Sequence, residues 1–249
     1  EPGYAWARLP WASTWPTDTP TWDMLFSKCS NKDAFQAWIG SLFFDESDLQ
    51  QYVWCFGTGN NGKGAINRFL CRVFGRAYAS KQPPRDGDKF WTYGLLWKRL
   101  VVFPDCNDAT FVTKGLFKSM TGGDPLDFEP KYQMPFTAIL NAKYLFLSNE
   151  RPNLSSETAD GRRIIYCEFE SRDEEENDPL FEQKLWDEGA SFLLACIEKY
   201  HDLAPLHLPI KADKTAITDW IETVEAEFEE ALNYNFEIHP QDAKLDWIR

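Results

Sequence analysis

A glycine-rich turn that ends in a lysine is the stretch of this sequence best suited to chemistry. It consists of Gly57, Thr58, Gly59, Asn60, Asn61, Gly62 and Lys63. Glycines let the backbone wrap a polyphosphate with successive N–H groups pointing inward, and the next helix turns its positive dipole end toward the same anion. Lys63 would reach the β- and γ-phosphates. A Gly/Asn hairpin turn with a surface lysine is the plainer interpretation, but the order of strand, turn and helix favours a nucleotide site.

The residue after the lysine departs from the usual phosphate-binding loop. Such a loop has Ser or Thr at this position, and the hydroxyl holds magnesium. Here the residue is Gly64, which offers no metal ligand. Either water fills that place or the metal is held less tightly, so the change affects turnover more than nucleotide binding.

Two polar residues that follow predicted strands are candidates for the same site. Asp105 stands where P-loop NTPases place the carboxylate that orients magnesium or the attacking water. It could instead start a turn or cap a helix, and Asp108 is the weaker alternative. Asn149 could hydrogen-bond the γ-phosphate or the water, although a lone Asn is more often a turn or cap residue.

The elements that must position these residues form an α/β core with a mainly parallel sheet. The predicted strands are Tyr52–Phe56, Leu100–Phe103, Tyr144–Ser148 and Ile164–Phe169. Helical periodicity predicts two helices between Trp22 and Asp45, one helix over Leu180–Tyr200 and an acidic helix over Ala212–Asn233. A short helix ending at residues 121–123 and a β-hairpin complete the core.

Composition divides the chain into four stretches. Residues 1–22 hold four prolines and four tryptophans and read as a linker or strap; residues 23–50 form an N-terminal helical segment. Residues 51–170 form the core with the glycine-rich turn, and residues 171–249 form an acidic C-terminal helical region. The net charge of −13 is uneven, since residues 51–170 hold 16 Lys/Arg against 12 Asp/Glu and residues 171–249 hold 7 against 20. Any nucleic-acid contact must therefore be focused at a few positions.

Cysteine and hydropathy patterns exclude several classes of protein. The six cysteines are scattered and share no ligand spacing with the three histidines, so we expect small apolar side chains in a reducing compartment instead of disulfides or a zinc site. No apolar run approaches the roughly 18 residues that span a bilayer, and no signal peptide is visible. We expect a cytoplasmic protein without a membrane partner.

The order of these motifs resembles the superfamily 3 helicases, particularly the phage and plasmid primase-helicases, whose cores contain G-x-G-x-N-G-K and later K-x-x-T-G-G-D. The likeness covers about residues 20–200. It implies an AAA+-like P-loop ATPase fold that uses ATP and Mg²⁺. It also implies a ring of identical subunits, six in this family, around single-stranded DNA.

The resemblance assigns roles to residues of the nucleotide site. Gly57–Lys63 is similar to the Walker A loop, with Gly64 as a departure. Asp105 matches the Walker B acid, which would hold Mg²⁺ through water, although Pro104 before it is a second departure. Asn149 in FLSNERP matches the sensor asparagine.

The resemblance also assigns residues that act between subunits or on DNA. Lys118 in FKSMTGGD matches a basic residue that reaches the γ-phosphate of the neighbouring subunit's nucleotide. Arg163 in DGRRIIYCEF matches the arginine finger, with Arg162 as the close alternative, although adjacent arginines are ordinarily surface charge. DPLDFEPKYQ looks like the pre-sensor hairpin, whose tip pair Lys131 and Tyr132 would contact DNA.

The sequence therefore predicts an ATP-dependent replicative DNA helicase domain of a phage or mobile element. Because the chain starts at Glu1 without a methionine, we expect a fragment that follows a primase or polymerase region. The alternative is a nucleotide-binding oligomeric scaffold with weak ATP turnover, which Gly64, Pro104 and the acidic C-terminal region favour. A different AAA+-like ATPase, such as a packaging motor, is a third possibility.

Overall fold

The computed structural model describes most of the chain between residues 18 and 203. The described ranges are 18–44, 50–85, 88, 90–106, 110–132, 134–152, 163–171 and 178–203. Asp108, Arg162, most of the strap and the helix predicted over Ala212–Asn233 lie outside these ranges. The described residues all belong to one compact unit.

Seven strands occur in the described part of the chain. In chain order they are β1 (Tyr52–Phe56), β2 (Tyr78–Ser80), β3 (Leu100–Phe103), β4 (Leu126–Phe128), β5 (Phe136–Ala138), β6 (Lys143–Leu147) and β7 (Ile164–Glu168). Five of them form a parallel sheet in the order β2-β3-β6-β1-β7. The predicted α/β fold with a mainly parallel sheet is confirmed.

The predicted strand bounds agree with the observed ones where a strand is buried on both faces. Every residue of β1, β3 and β6 is buried, and such strands read as continuous apolar runs. β1 and β3 have the predicted bounds, β6 is shifted by one residue, and β7 ends at Glu168 instead of Phe169. β2 was not predicted, since a three-residue strand with only one buried position leaves no periodic signal.

Seven α-helices occur in the same ranges. They are α1 (Pro20–Ser27), α2 (Lys32–Gly40), α3 (Lys63–Phe74), α4 (Thr110–Thr113), α5 (Gly115–Gly122), α6 (Phe181–Asp187) and α7 (Gly189–Leu203). The two predicted N-terminal helices are confirmed, but α1 begins inside the stretch expected to be a strap. Pro20 takes the first helical position, where its missing N–H costs nothing. Trp22 in α1 is fully buried and stacks on Phe192 of α7 at 3.7 Å between ring centres.

The single helix predicted over Leu180–Tyr200 is wrong, because the chain forms α6 and α7 with a break at Glu188. The carboxylate of Glu188 accepts hydrogen bonds from the backbone N–H groups of Thr21 and Trp22, at 2.9 and 3.3 Å, and from the Thr21 hydroxyl. The break therefore places the Glu188 carboxylate at the first turn of α1, where the backbone N–H groups have no partner within the helix. Sequence periodicity does not reveal such a contact.

Two apolar layers cover the sheet. α1, α2, α3, α6 and α7 pack over one face. On the other face Trp54, Phe146 and Phe103 come from adjacent strands and stack with ring centres 4.6 and 4.5 Å apart. Phe117 of α5 packs edge-on against Phe146 at 5.6 Å, so α5 is fixed against this layer.

β4 and β5 form a separate antiparallel hairpin, as predicted, between β3 and β6 in the chain. Phe128 and Phe136 are directly paired across it, with ring centres 5.6 Å apart. Phe128 is fully buried in the second apolar layer. This burial anchors the base of the hairpin, whereas its tip is exposed.

Five of the six cysteines are buried, as expected for small apolar side chains, whereas Cys71 is exposed on α3. No helix in the described ranges is long and apolar enough to cross a membrane.

Candidate functional site

The glycine-rich turn leaves the carboxyl end of β1 and leads directly into α3. Gly57 has φ 140°, Asn60 has φ 57° and Gly62 has φ 85°, a region that favours glycine or asparagine. A Cβ atom on Gly57 would lie 2.2 Å from the carbonyl oxygen of Phe169, and one on Gly62 would lie 2.3 Å from Cδ1 of Leu25. The positive φ favours glycine at both positions, and the backbone of Phe169 also excludes a side chain at Gly57.

Asn61 and Thr58 fasten this turn to the chain after β7. Asn61 is buried, and its Nδ2 donates to the Phe169 carbonyl at 3.3 Å while its Oδ1 accepts from the Lys63 backbone N–H at 3.4 Å. The hydroxyls of Thr58 and Ser171 share a 2.6 Å hydrogen bond. Gly59 at the tip would meet no atom within 4 Å even with a side chain. The turn is therefore anchored at its base and open at its tip.

Lys63 is the charged centre of the turn. Its side chain is largely buried, and Nζ donates a 2.7 Å hydrogen bond to the carbonyl oxygen of Gly57, so the ammonium group spans the mouth of the turn. Burial lowers the pKa of Lys63, while Cys55 and Asp105 act in the opposite direction. A buried cation held by one neutral carbonyl is well suited to an incoming anion.

Asp105 lies in the turn after β3, with φ 51°. The backbone N–H of Cys106 donates to the Leu147 carbonyl at 2.9 Å, which ties this turn to the carboxyl end of β6. Because β1, β6 and β3 are parallel, the turn that holds Asp105 lies at the same edge of the sheet as the glycine-rich turn.

Asn149 follows β6, which lies between β1 and β3 in the sheet. Ser148 before it is buried; its N–H donates to the Cys55 carbonyl at 2.9 Å, and its hydroxyl accepts from Trp54 Nε1 at 2.8 Å and donates to the Glu150 carbonyl at 2.5 Å. Asn149 itself is exposed. The hydrogen bonds of Ser148 fix the position of Asn149 between the glycine-rich turn and the turn after β3. Lys63, Asp105 and Asn149 therefore lie at one edge of the sheet.

The loop side of this site does not fit a magnesium ion. Gly64 provides no oxygen, and a Cβ atom at Gly64 would lie 3.2 Å from Nη1 of Arg68. The Arg68 guanidinium group thus lies beside Gly64, and its charge repels a divalent cation. Asp105, on the strand side, is the predicted ligand that remains.

Arg163 and Lys118 meet at the opposite edge of the sheet. The Arg163 carbonyl accepts from the Tyr52 N–H at 2.8 Å, where β1 begins. Its Nη1 donates to the Lys118 carbonyl and to Thr121 Oγ1, both at 3.0 Å. Because β1 has five residues and a strand rises about 3.3 Å per residue, this edge is about 17 Å from the turn at the other end. The hydrogen bonds of Arg163 to α5 are therefore made at the edge opposite the glycine-rich turn of its own chain.

The hairpin tip is exposed and partly apolar. Tyr132, with φ 62°, is fully exposed, and Lys131 Nζ lies 5.4 Å from the centre of the Phe90 ring. A cleft of about 360 Å³ separates the tip from Phe90 and is also lined by Pro130 and Pro135. Phe90 was not predicted from the sequence, because nothing in the sequence distinguishes an exposed isolated aromatic residue from a buried one.

Fold and site together define the class, an α/β protein of the P-loop type with a hairpin inserted before the fourth strand of the parallel sheet. A family described as "Family of unknown function (DUF5906)" matches residues 55–163, from β1 to Arg163. A search of curated proteins found no match.

Solved structures share the fold at low sequence identity. The apo A form of the NrS-1 C-terminal region has a TM-score of 0.60 at 15% identity and covers 75% of this chain and 48% of that chain. A second apo A form, spanning residues 305–718 of that region, gives 0.58 at 16% identity, with 82% and 48% coverage. A JCV helicase bound to an acetamide compound gives 0.47 at 16% identity, with 83% and 59% coverage. The chain spans about half the length of the NrS-1 structures, and the likeness to those structures establishes the fold.

Proposed function

We propose that this chain binds and hydrolyses ATP and uses that hydrolysis to move along single-stranded DNA, as the helicase core of a phage or mobile-element primase-helicase. The observation that carries the proposal is the meeting of Lys63, Asp105 and Asn149 at one edge of a parallel sheet. Ligands of open parallel sheets bind beyond the carboxyl ends of the strands.

Phosphate binding requires that one hydrogen bond of Lys63 be replaced by a contact with phosphate. A triphosphate that enters the turn replaces the Gly57 carbonyl as the partner of Lys63 Nζ. The loop N–H groups and the positive end of α3 stabilise the same charge. Because Lys63 is buried, its attraction to phosphate is weakly screened by water.

Hydrolysis needs a positioned water more than covalent chemistry. The Asp105 carboxylate accepts a hydrogen bond from the attacking water, and the Asn149 amide holds that water or a γ-phosphate oxygen. The family resemblance implies magnesium. Asp105, on the strand side of the site, would hold this ion, since Gly64 and Arg68 lie on the loop side.

Arg163 and Lys118 would complete the site of a neighbouring subunit. They lie at the edge opposite to their own glycine-rich turn, and a head-to-tail ring brings one edge of a subunit against the other edge of the next. Arg163 Nε is buried and has no hydrogen-bond partner among the described residues, so the guanidinium group is not saturated in the single chain. The family resemblance makes six the expected number of subunits.

DNA contact would be confined to the hairpin tip. Lys131 pairs with phosphate, while Tyr132 and Phe90 offer faces on which a base or sugar packs. Repetition around a ring turns single lysines into a basic collar, so the net charge of −13 does not prevent binding.

ATP hydrolysis with and without single-stranded DNA tests the proposal. We expect DNA-stimulated turnover that Lys63→Ala abolishes, because the buried cation at the phosphates is lost. Lys32→Ala, which removes an exposed lysine from α2, is the matched control and should retain turnover. Absence of hydrolysis in the unaltered chain, or hydrolysis indifferent to Lys63→Ala, would reject the motor function.

A nucleotide-binding oligomeric scaffold is the second candidate. Gly64 and the adjacent Arg68 guanidinium favour it, since both weaken metal binding at the loop. Nucleotide binding and ring assembly with negligible turnover would identify the scaffold, whereas DNA-stimulated turnover identifies the motor.

A further inference from the structure

The side chain of Arg68 lies over Gly64 at the first turn of α3. Residues four apart in a helix share a face, and long side chains lean toward the helix N-terminus. A Cβ atom on Gly64 would be 3.2 Å from Arg68 Nη1 and 3.8 Å from its Cζ. The guanidinium group is therefore beside the glycine-rich turn, on the face where a Walker A hydroxyl would project.

The hydrogen bonds of Arg68 use only one side of its guanidinium group. Nε donates to both carboxylate oxygens of Glu182, at 3.1 and 3.0 Å, and Nη2 donates to Oε1 at 2.5 Å. Nη1, which faces Gly64, has no hydrogen-bond partner within the part of the chain that the structure describes. Its two donors remain available beside Gly64, in the first turn of α3.

We propose that Arg68 is a further nucleotide-binding residue, whose guanidinium group contacts the phosphates of the bound triphosphate in place of the missing loop-side metal ligand. This inference rests on the proposed function, since it concerns the same triphosphate. Gly64 leaves room for this arrangement, because a Cβ atom there would require Nη1 to move by a few tenths of an ångström. A guanidinium group matches phosphate geometry better than a lone ammonium group does.

The Glu182 carboxylate on α6 offsets part of the charge that Arg68 presents to a nucleotide. Both side chains of the pair are more than half exposed, at 60% and 55%, so water and salt screen their attraction. A triphosphate carries several negative charges, and the Glu182 carboxylate repels them while it remains bonded to Nε and Nη2. Loss of the Glu182 charge should therefore strengthen nucleotide binding.

Metal dependence is the property that separates this arrangement from an ordinary phosphate-binding loop. A positive side chain at the loop neutralises phosphate charge without a divalent ion and repels one that approaches. Nucleotide binding by this chain should therefore persist when magnesium is removed, and that residual binding should depend on Arg68.

The test measures the affinity of the full chain for a fluorescent ATP analogue, once with excess EDTA and once with excess magnesium. In EDTA we expect Arg68→Gln to weaken binding by about tenfold, the size of one lost charge-assisted contact. Glu182→Gln should tighten binding several-fold under the same conditions. Arg72→Gln is the matched control, because it removes an equal charge one turn further along α3, where the guanidinium stacks on Trp186 at 3.5 Å; it should leave the affinity unchanged.

Two results would overturn the role of Arg68 and leave ATP binding intact. One is equal affinity of Arg68→Gln and the unaltered chain in EDTA, and the other is weaker binding by Glu182→Gln. If the unaltered chain binds no nucleotide with or without magnesium, this inference and the proposed function fail together. Thermal unfolding of each variant checks the fold, which these exposed side chains are not expected to alter.

Discussion

At the scale of single residues, the site is built around one buried cation. Lys63 has a lowered pKa because burial disfavours its charged form. The folded-state pKa is below the unfolded one, so this burial costs stability at lower pH, and the cost is relieved as pH rises through the folded-state pKa. A bound phosphate offsets the same cost, which explains why such a residue belongs at an anion site.

Gly64 is the residue whose replacement tests the loop most directly. Gly64→Ser supplies a hydroxyl, requires Arg68 to shift by a few tenths of an ångström, and replaces a glycine within a helix. We expect nucleotide binding to become more dependent on magnesium, with the free energy of unfolding raised by about 0.5 kcal/mol. Affinity with and without magnesium and urea denaturation measure the two effects.

Gly57→Ser is the matched control for that substitution. Its Cβ atom would lie 2.2 Å from the Phe169 carbonyl, at a φ of 140°. We expect it to lower the free energy of unfolding by about 2 kcal/mol. Equal stability of the two variants would contradict a close approach of the Phe169 carbonyl to Gly57.

At the scale of elements, the hairpin is anchored at its base and exposed at its tip. Phe128 is buried against the sheet while Tyr132 is fully exposed, and the tip faces Phe90 across an open cleft. The segment that carries Phe90 precedes β3, and the hairpin follows α5, so the two walls of the cleft come from segments separated in the chain by β3, α4 and α5.

Substitutions at the hairpin tip and at Phe90 should affect the handling of DNA and leave nucleotide binding unchanged. Lys131→Ala should abolish DNA-stimulated unwinding, and Phe90→Ala should weaken single-stranded DNA binding by tenfold or more, since stacking contributes about 1–3 kcal/mol per base. Both variants should bind ATP normally, because the tip is separate from the glycine-rich turn. Fluorescence anisotropy with a labelled oligonucleotide measures the binding.

Tyr93→Ala is the control for Phe90→Ala, since Tyr93 is an exposed aromatic residue three positions further on that does not line the cleft. If its loss weakens DNA binding as much as Phe90→Ala does, or if Lys131→Ala retains unwinding, the cleft is not the DNA site.

At the scale of the whole molecule, the proposed function requires the two edges of the sheet to carry complementary halves of a site. Lys63 and Asp105 lie at the carboxyl edge, and Arg163 and Lys118 lie at the other. A single chain cannot join them across the length of β1, whereas a head-to-tail assembly can.

Subunit mixing tests this arrangement. Lys63→Ala and Arg163→Ala should each lack turnover alone, but a mixture should recover part of it. In mixed rings, an intact Lys63 of one subunit meets an intact Arg163 of its neighbour. Hydrolysis at increasing ratios of the two variants measures the recovery.

A mixture of Lys63→Ala with the double variant Lys63→Ala/Arg163→Ala is the control and should stay inactive, because no subunit retains the lysine. Failure of the first mixture to recover turnover, although sizing shows mixed rings, would refute the shared site. Thermal unfolding must accompany the experiment, since Arg163 also holds the Lys118 carbonyl and Thr121 hydroxyl.

The sequence by itself determined the elements whose signals are local. Strands buried on both faces appear as apolar runs, and the order of strand, glycine-rich turn, lysine and helix indicated where a phosphate would bind. The hairpin was predictable because its two strands and its turn lie within one short segment. Local signals could not show β2, whose three residues carry no period, or the break at Glu188, which exists because of a contact with α1.

Only the tertiary structure decided which of these residues meet. The insertion of β6 between β1 and β3 brings Asn149 between Lys63 and Asp105, and the parallel direction of β7 sends Arg163 to the far edge. Arg68 was not singled out from the sequence, because its importance depends on the empty space at Gly64 and on a carboxylate from α6. Contacts between segments that are distant in the chain depend on how the whole chain packs. Local sequence patterns therefore cannot predict them.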